Sequence, residues 1–455
     1  MSPRAGSAGP RPASPHTLAF VESPVQLLNV LEWAHADALR ASGESGGAAP
    51  GAGGGGAAPA SGGAGATPAA QSASTARPGD TGPVGGPDPG FTPGEAFGEQ
   101  PGATRPADSA LPGSAPEAAR PADGPAPGTA ADVVHTGLTL VVLSPNDPMT
   151  RGQLRRMAEL ARGEGHEVRW EEARGGATAP FHTVGGLAPM LRRAKRIVMG
   201  DPFSRYVQLL LTITRARDLV VVDDGTATME FVSQLARGER LVRWHRRGGR
   251  PGPRDLVFGP VSASARRRLT PGSGRRVEVF SSMPITETPH GVHVTANDFS
   301  WTRARFGPPR LTKGADLVGT SLVETGVVDP DRYVEAVKGL TKTYGATRYF
   351  AHRRESTEKL HRLAVETGLE IVRPDLPLEL IARRGPIGRT ILSFPSTVVH
   401  TLPLALVGTE VRVAVFDIDP AWLTATASPR AQGFLSGVTG TARDVHRLSA
   451  VTTAI

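Results

Sequence analysis

Residues 218 to 230 read DLVVVDDGTATME, and this stretch decides the fold. Four successive aliphatic side chains, Leu219 to Val222, suit a strand covered on both faces, as parallel strands are. Gly225 and Thr226 then open a helix. In open α/β sheets the ligand crevice lies beyond the carboxyl ends of the strands, so Asp223 and Asp224 stand where chemistry is done. One of them could take a proton from an attacking hydroxyl while the other fixes the turn or a ligand. The same three residues also make an ordinary turn with a solvated strand end. The strand alone does not separate these readings.

Working outward, the chain repeats this grammar. HTLAFVESPVQLLNVLEWAHADAL predicts a strand over 17–22 and a helix from Pro24 to about Leu39, with Ser23 as cap and proline in the first turn. Strands are predicted again at LTLVVLS (138–144), HEVRWEE (166–172) and RIVMG (196–200). Helical segments separate them, and the last, FSRYVQLLLTITRA, leads into the acidic strand. Alternating strands and helices with short connections predict a doubly wound parallel sheet.

The 455 residues exceed the size at which one core stops growing, so two domains are expected. The low hydrophobic content, 39%, has one local cause. Residues 43–132 are almost entirely Ala, Gly, Pro, Ser and Thr, with Val84, Phe91, Phe97 and Leu111 as the large apolar exceptions. Such a composition predicts a disordered insertion in a surface loop of the first domain. The first 16 residues are expected to be disordered as well. Around 237–275 the pattern lapses into Arg, Gly and Pro, which predicts a boundary there. The expected division is 17–260 for a first Rossmann-like domain and 261–455 for a second.

With no cysteine, disulfides and thiolate metal sites are excluded. The N-terminus lacks the apolar core of a signal peptide and no stretch nears 18 apolar residues, so a cytoplasmic protein is expected. The net charge of +8 comes from arginine, as in RWHRRGGR (243–250) and ARRRL (265–269). Basic loops of this kind suit a solvated face or peripheral contact with the inner face of a membrane. Aromatic residues make up 5% and do not interleave with the arginines, so no nucleic-acid partner is expected.

The second half holds two further strand-to-helix junctions. RYFAHRRES (348–356) places His352 just past a strand, with Arg353 and Arg354 beside it and Ser356 at a helix start. A histidine there can donate to a phosphate or act as an acid, and it can equally be structural. TILSFPSTVVHTLPLAL (390–406) puts Ser393 at a strand end and Ser396 and Thr397 before an apolar helix. Hydroxyls and free amides at a helix start hold phosphate oxygens, although plain capping uses the same residues. His400, one turn inside, reads as packed.

Taken together, the SPVQLLN segment after the first strand, the acidic pair with Gly225, the His352 loop and the Ser396–Thr397 helix start resemble the bacterial sialyltransferases and capsular polysialyltransferases of the two-Rossmann, GT-B type. The resemblance spans both domains but not residues 43–132. It implies an inverting, metal-independent and cofactor-free transfer of sialic acid from CMP-sialic acid to a glycan hydroxyl, polymerising in some members. By resemblance Asp223 is the base, with Asp224 and Gly225 completing its motif. His352 is then the phosphate or acid residue, Ser396 and Thr397 the hydroxyl pair, and Ser393 lies beside them. Ser23 and Gln26 border a substrate pocket. Arg353 stands where the family has proline, and with Arg354 it offers a multi-donor fork to a phosphate or carboxylate. Two other readings stay open: a GT-B transferase with another nucleotide-sugar, and a noncatalytic relative that binds polyanions.

Overall fold

A computed structural model describes residues 16–45, 137–174, 179–243, 253–425, 427 and 429–448. The first sheet is made of β1 (Thr17–Val21), β2 (Leu138–Leu143), β3 (Glu167–Glu171), β4 (Arg196–Met199), β5 (Asp218–Val222), β6 (Arg276–Ser281) and β7 (Val292–Ala296). All neighbours are parallel, in the order β3-β2-β1-β4-β5-β6-β7. The crossovers carry α1 (Pro24–Ser45), α2 (Pro148–Gly163), α3 (Ala179–Arg193), α4 (Arg205–Ile213), α5 (Thr226–Ala236) and α6 (Pro253–Leu269). Leu219, Val220, Val221 and Val222 of β5 are all buried, packing alternately into the clusters on the two faces. Burying each such side chain contributes about 1.5–3 kcal/mol.

After a short helix, α7 (Ser300–Arg305), the chain builds a second sheet. Its elements are β8 (Leu311–Val318), α8 (Pro330–Tyr344), β9 (Ala346–Phe350), α9 (Thr357–Thr367), β10 (Glu370–Val372), α10 (Leu378–Arg384), β11 (Ile387–Ser393), α11 (Val398–Ala405), β12 (Arg412–Phe416), α12 (Pro429–Thr441) and β13 (His446–Leu448). The order β10-β9-β8-β11-β12-β13 is again all parallel. Each sheet therefore contains the 3-2-1-4-5-6 order of a doubly wound dinucleotide-type fold. The fold class is the one the sequence predicts: two Rossmann-like α/β domains.

The boundary is not where composition placed it. Residues 261–296 belong to the first sheet, because β6 pairs with β5 from Asp218↔Arg276 to Val222↔Phe280 and β7 extends it. The crossing to the second sheet comes at α7. Gly259 and Pro260 inside α6, together with the arginine run at its end, mask a helix that nevertheless buries Ala265 and Leu269. The predicted insertion also starts late, since α1 runs to Ser45. The expectations for the remainder of 43–132, for residues 1–15 and for residues 244–250 of the basic loop concern segments outside the described residues.

α7 is where the halves join. Glu32 of α1 accepts from the amides of Trp301 (2.8 Å) and Thr302 (3.0 Å) and from the Thr302 hydroxyl (2.5 Å), filling the helix N-terminus. Arg303 Nη1 donates to the Leu404 carbonyl at 3.1 Å, and Arg383 Nε donates to that of Phe306 at 3.1 Å. Leu376, Leu380 and Ala405 complete the apolar cluster that α1 forms on one face of the first sheet. On the far side Gln153 of α2 donates to the Pro374 carbonyl at 2.6 Å, and Arg156 pairs with Asp375. Apolar contact and hydrogen bonds thus hold the two carboxyl edges toward one another. Among the described residues no helix is long and apolar enough to cross a membrane.

Candidate active site

The turn after β5 splits the two acids. Asp223 is 2% exposed and wholly engaged. Its Oδ1 accepts from the Ser281 hydroxyl, and its Oδ2 accepts from the amide (2.6 Å) and hydroxyl (2.8 Å) of Ser282 at the end of β6. Asn29 Nδ2 donates to the Asp223 carbonyl at 3.0 Å, and Asn297 Nδ2 in turn donates to Asn29 Oδ1 at 3.0 Å. Burial raises the Asp223 pKa against these hydrogen bonds. The residue ties β5, β6 and α1 together, with both carboxylate oxygens hydrogen-bonded.

Asp224 points the other way and keeps a fifth of its side-chain surface exposed. Arg243 Nη2 reaches its Oδ2 at 3.3 Å and Asp201 Oδ2 at 2.7 Å. Burial, with the Asp201 charge next, pushes Asp224 up to about 6, against Arg243, a hydrogen bond from Gln26, and Arg353. A third acid, Glu22, follows β1. Its Oε1 accepts from Arg174 Nη2 and Ser204 Oγ, both at 2.8 Å. Burial carries Glu22 up to about 7. Three carboxylates from three adjacent strand ends thus share one rim with Arg174 and Arg243.

The SPVQLLN segment builds this rim. Ser23 Oγ accepts from the Gln26 amide at 3.2 Å, and Gln26 Oε1 accepts from the Glu22 amide at 2.8 Å. Gly200 makes room for Gln26, since a Cβ there would lie 2.5 Å from Gln26 Cδ. Ser23 and Gln26 are both buried. They lie beside the acids, and Gln26 hydrogen-bonds Asp224.

The second sheet supplies the opposite wall. His352 follows β9, and its Nδ1 accepts from the Arg354 amide at 3.2 Å. Arg353 and Arg354 are exposed. Arg353 has no hydrogen bond or ion pair among the described residues, yet it feels the charges of Asp224 and Asp147 from the first domain. Ser356 is committed locally: its hydroxyl caps α9 by accepting from the Lys359 amide at 3.1 Å. Ser393 is buried and donates to the Phe394 carbonyl at 2.8 Å, with Ser396 Oγ 3.4 Å away. Ser396 and Thr397 are partly exposed before α11, and Thr397 makes no side-chain cap bond. His400 is buried.

The two walls touch at Gly225. Its φ is +65°, and a Cβ added there would lie 3.0 Å from Thr397 Cγ2. The acidic turn thus meets Thr397 in space though some 170 residues separate them in sequence. The site therefore brings together Asp224, Gly225, Arg353 and Thr397, and the sequence reading missed Glu22, Asp201, Arg174 and Arg243. Glu22 and Asp201 follow the ends of β1 and β4, so the carboxyl-end rule applied to β5 would have found both. Arg243 had been read as part of a solvated basic loop.

No protein-family profile matches the chain, and no curated sequence is significantly similar to it. Several solved structures resemble it in architecture. One is an alpha/beta-galactoside alpha-2,3-sialyltransferase from the luminous marine bacterium Photobacterium phosphoreum. It is 11% identical over 68% of this chain and 90% of that one, with a TM-score of 0.37. Another is Os79 from O. sativa in complex with UDP, 15% identical over 67% and 78% at a TM-score of 0.34. A third is the E. coli heptosyltransferase WaaC with ADP, 12% identical over 67% and 89% at 0.29.

Proposed function

We propose that the protein is a GT-B-type glycosyltransferase that moves a sugar from a nucleotide donor to an acceptor hydroxyl, with Asp224 as the base. The observation that carries this reading is the meeting of the turn that holds Asp224 with Thr397 of the second domain, at Gly225. A carboxylate with a pKa of about 6 is well matched to remove a proton near neutrality. Asp223, which the resemblance names as base, is buried under the donors of Ser281 and Ser282, so the role passes to its neighbour.

In the reaction the acceptor oxygen attacks the anomeric carbon of the donor. The bond from that carbon to the phosphate oxygen breaks, and the nucleotide leaves with both electrons. Asp224 receives the hydroxyl proton, and the phosphate charge falls on Arg353, His352, Ser396 and Thr397, a preorganised set of donors. Arg353, which has no ion pair among the described residues and is influenced by the charges of Asp224 and Asp147, is the cation a phosphate or sugar carboxylate would claim.

CMP-sialic acid is the donor that the SPVQLLN, DDG, His352 and Ser396–Thr397 pattern favours; a glycan is the acceptor and polymerisation an open extension. Turnover of CMP-sialic acid on sialylated and galactosylated acceptors tests this directly, with Asp224→Ala as the inactive control. Thermal shifts with CMP, CDP and UDP distinguish a different nucleotide-sugar, since the cognate nucleotide stabilises the folded state. Protection by none of the three, with salt-sensitive polyanion binding instead, would favour the noncatalytic reading.

A further inference from the structure

The loop after β9 rests on a buried charged network that no step of the transfer uses. Glu355 lies at its centre, 4% exposed. Its Oε1 accepts from Tyr349 Oη at 2.5 Å and pairs with Lys359 Nζ at 2.7 Å, while Tyr349 Oη also meets Tyr333 Oη at 2.7 Å. Its Oε2 accepts from the His352 amide at 2.5 Å, and the Glu355 amide donates back to the His352 carbonyl at 3.0 Å. That reciprocal pair closes the four-residue turn His352–Glu355. Lys359 Nζ reaches the Thr320 carbonyl at 3.0 Å and Glu324 at 3.1 Å. The network also needs Gly319, because a Cβ there would stand 2.6 Å from Tyr349 Oη and closer still to Glu355 Oε2.

The closed turn has a chemical consequence. It aims the Arg354 amide at His352 Nδ1, and an amide can only donate, so Nδ1 must be the unprotonated nitrogen. The ring proton then sits on Nε2. The charges of Arg353, Arg354 and Lys359 disfavour a second proton on the ring, opposed by that of Glu324. We propose that Glu355 is a positioning residue that holds His352 as a neutral imidazole of fixed tautomer, which presents its Nε2–H as a hydrogen-bond donor and does not deliver a proton. The hydrogen-bond geometry agrees with the charge balance: burial first, then Arg353 and Arg354, bring His352 down to about 4. The proposal rests on the reading of the crevice as an anion site only for what that N–H meets; the state of the ring is independent of it.

The test is two-bond proton–nitrogen spectroscopy of the full chain labelled with nitrogen-15 in histidine, His352 being identified by the signals lost in His352→Gln. The expected result is a protonated Nε2, an unprotonated Nδ1 and no titration from pH 5.5 to 8. In Glu355→Gln, or the milder Tyr349→Phe, the ring should mix tautomers and titrate closer to 6.5. A wild-type ring that titrates at or above 6.5, or one unchanged in both variants, overturns the proposal. Binding of CMP supplies a second readout, with His352→Gln expected within about threefold of wild type and His352→Ala weaker by tenfold or more. Equal losses in both would sink the donor role. Failure of the transferase reading would look different, since the ring signature would persist in a protein that turns over no nucleotide-sugar.

Discussion

Gly225 brings the acidic turn against Thr397, with Thr397 Cγ2 3.0 Å from where a Cβ of residue 225 would stand. The backbone at Gly225, φ +65° and ψ −131°, is one that only glycine adopts without strain.

Gly225→Ala is therefore expected to lower stability by about 1–3 kcal/mol and to weaken nucleotide binding by forcing the walls apart. Adding Thr397→Ser, which removes the facing methyl, should restore part of the binding and none of the backbone strain. Chemical denaturation and nucleotide titration of the single and double variants separate the two contributions. Full recovery of stability in the double variant would contradict the backbone account.

The two aspartates should part company on substitution. Asp223→Asn leaves the Ser282 amide facing a weaker acceptor and should lose about 2 kcal/mol of stability. Asp224→Asn should fold normally and lose about 10²- to 10⁴-fold in kcat. Urea melts and steady-state kinetics on both proteins check this. A stable, inactive Asp223→Asn beside an active Asp224→Asn would return the base to Asp223.

Activity should carry one ionisation on its acid side. Asp224 accepts a proton only when ionised, so kcat/KM is expected to rise with pH and level off above about 6. A plot of log kcat/KM against pH over 4.5 to 8 reads the midpoint. A midpoint near 4 would mean that the base is an unperturbed carboxylate.

Stability should respond to pH in the opposite sense. Glu22 has its pKa raised from 4.5 to about 7, so the folded protein holds that proton at pH values where the unfolded chain releases it. The resulting stability is fully present below about 4.5 and is lost as pH rises through about 7. Glu22→Gln lacks this dependence. Relative to the variant, wild type should lose roughly 2 kcal/mol between pH 5 and pH 8. Parallel urea titrations at the two pH values measure the difference; an equal offset at both rules the linkage out.

Much of this molecule is legible in its sequence because strand and helix signals are local. The aliphatic run of β5 and the proline-led start of α1 each lie within a few residues of the structure they specify. Asp224, His352 and Thr397 were reachable in the same way, as residues just beyond strand ends. The end of the first domain was not, because α6 is interrupted by Gly259 and Pro260 and its membership depends on what β6 pairs with.

By itself the sequence determined two parallel α/β sheets and the strand ends where polar groups collect. The tertiary structure alone decided how each acid is partnered. Asp223 and Asp224 are neighbours in sequence and equivalent in type, but successive residues face opposite ways. Ser281 and Ser282, 58 or more residues downstream, bind one carboxylate, while Arg243 pairs with the other. Solvation and charge partners, and hence a pKa of about 6, are properties of that packing. No reading of thirteen consecutive residues contains them.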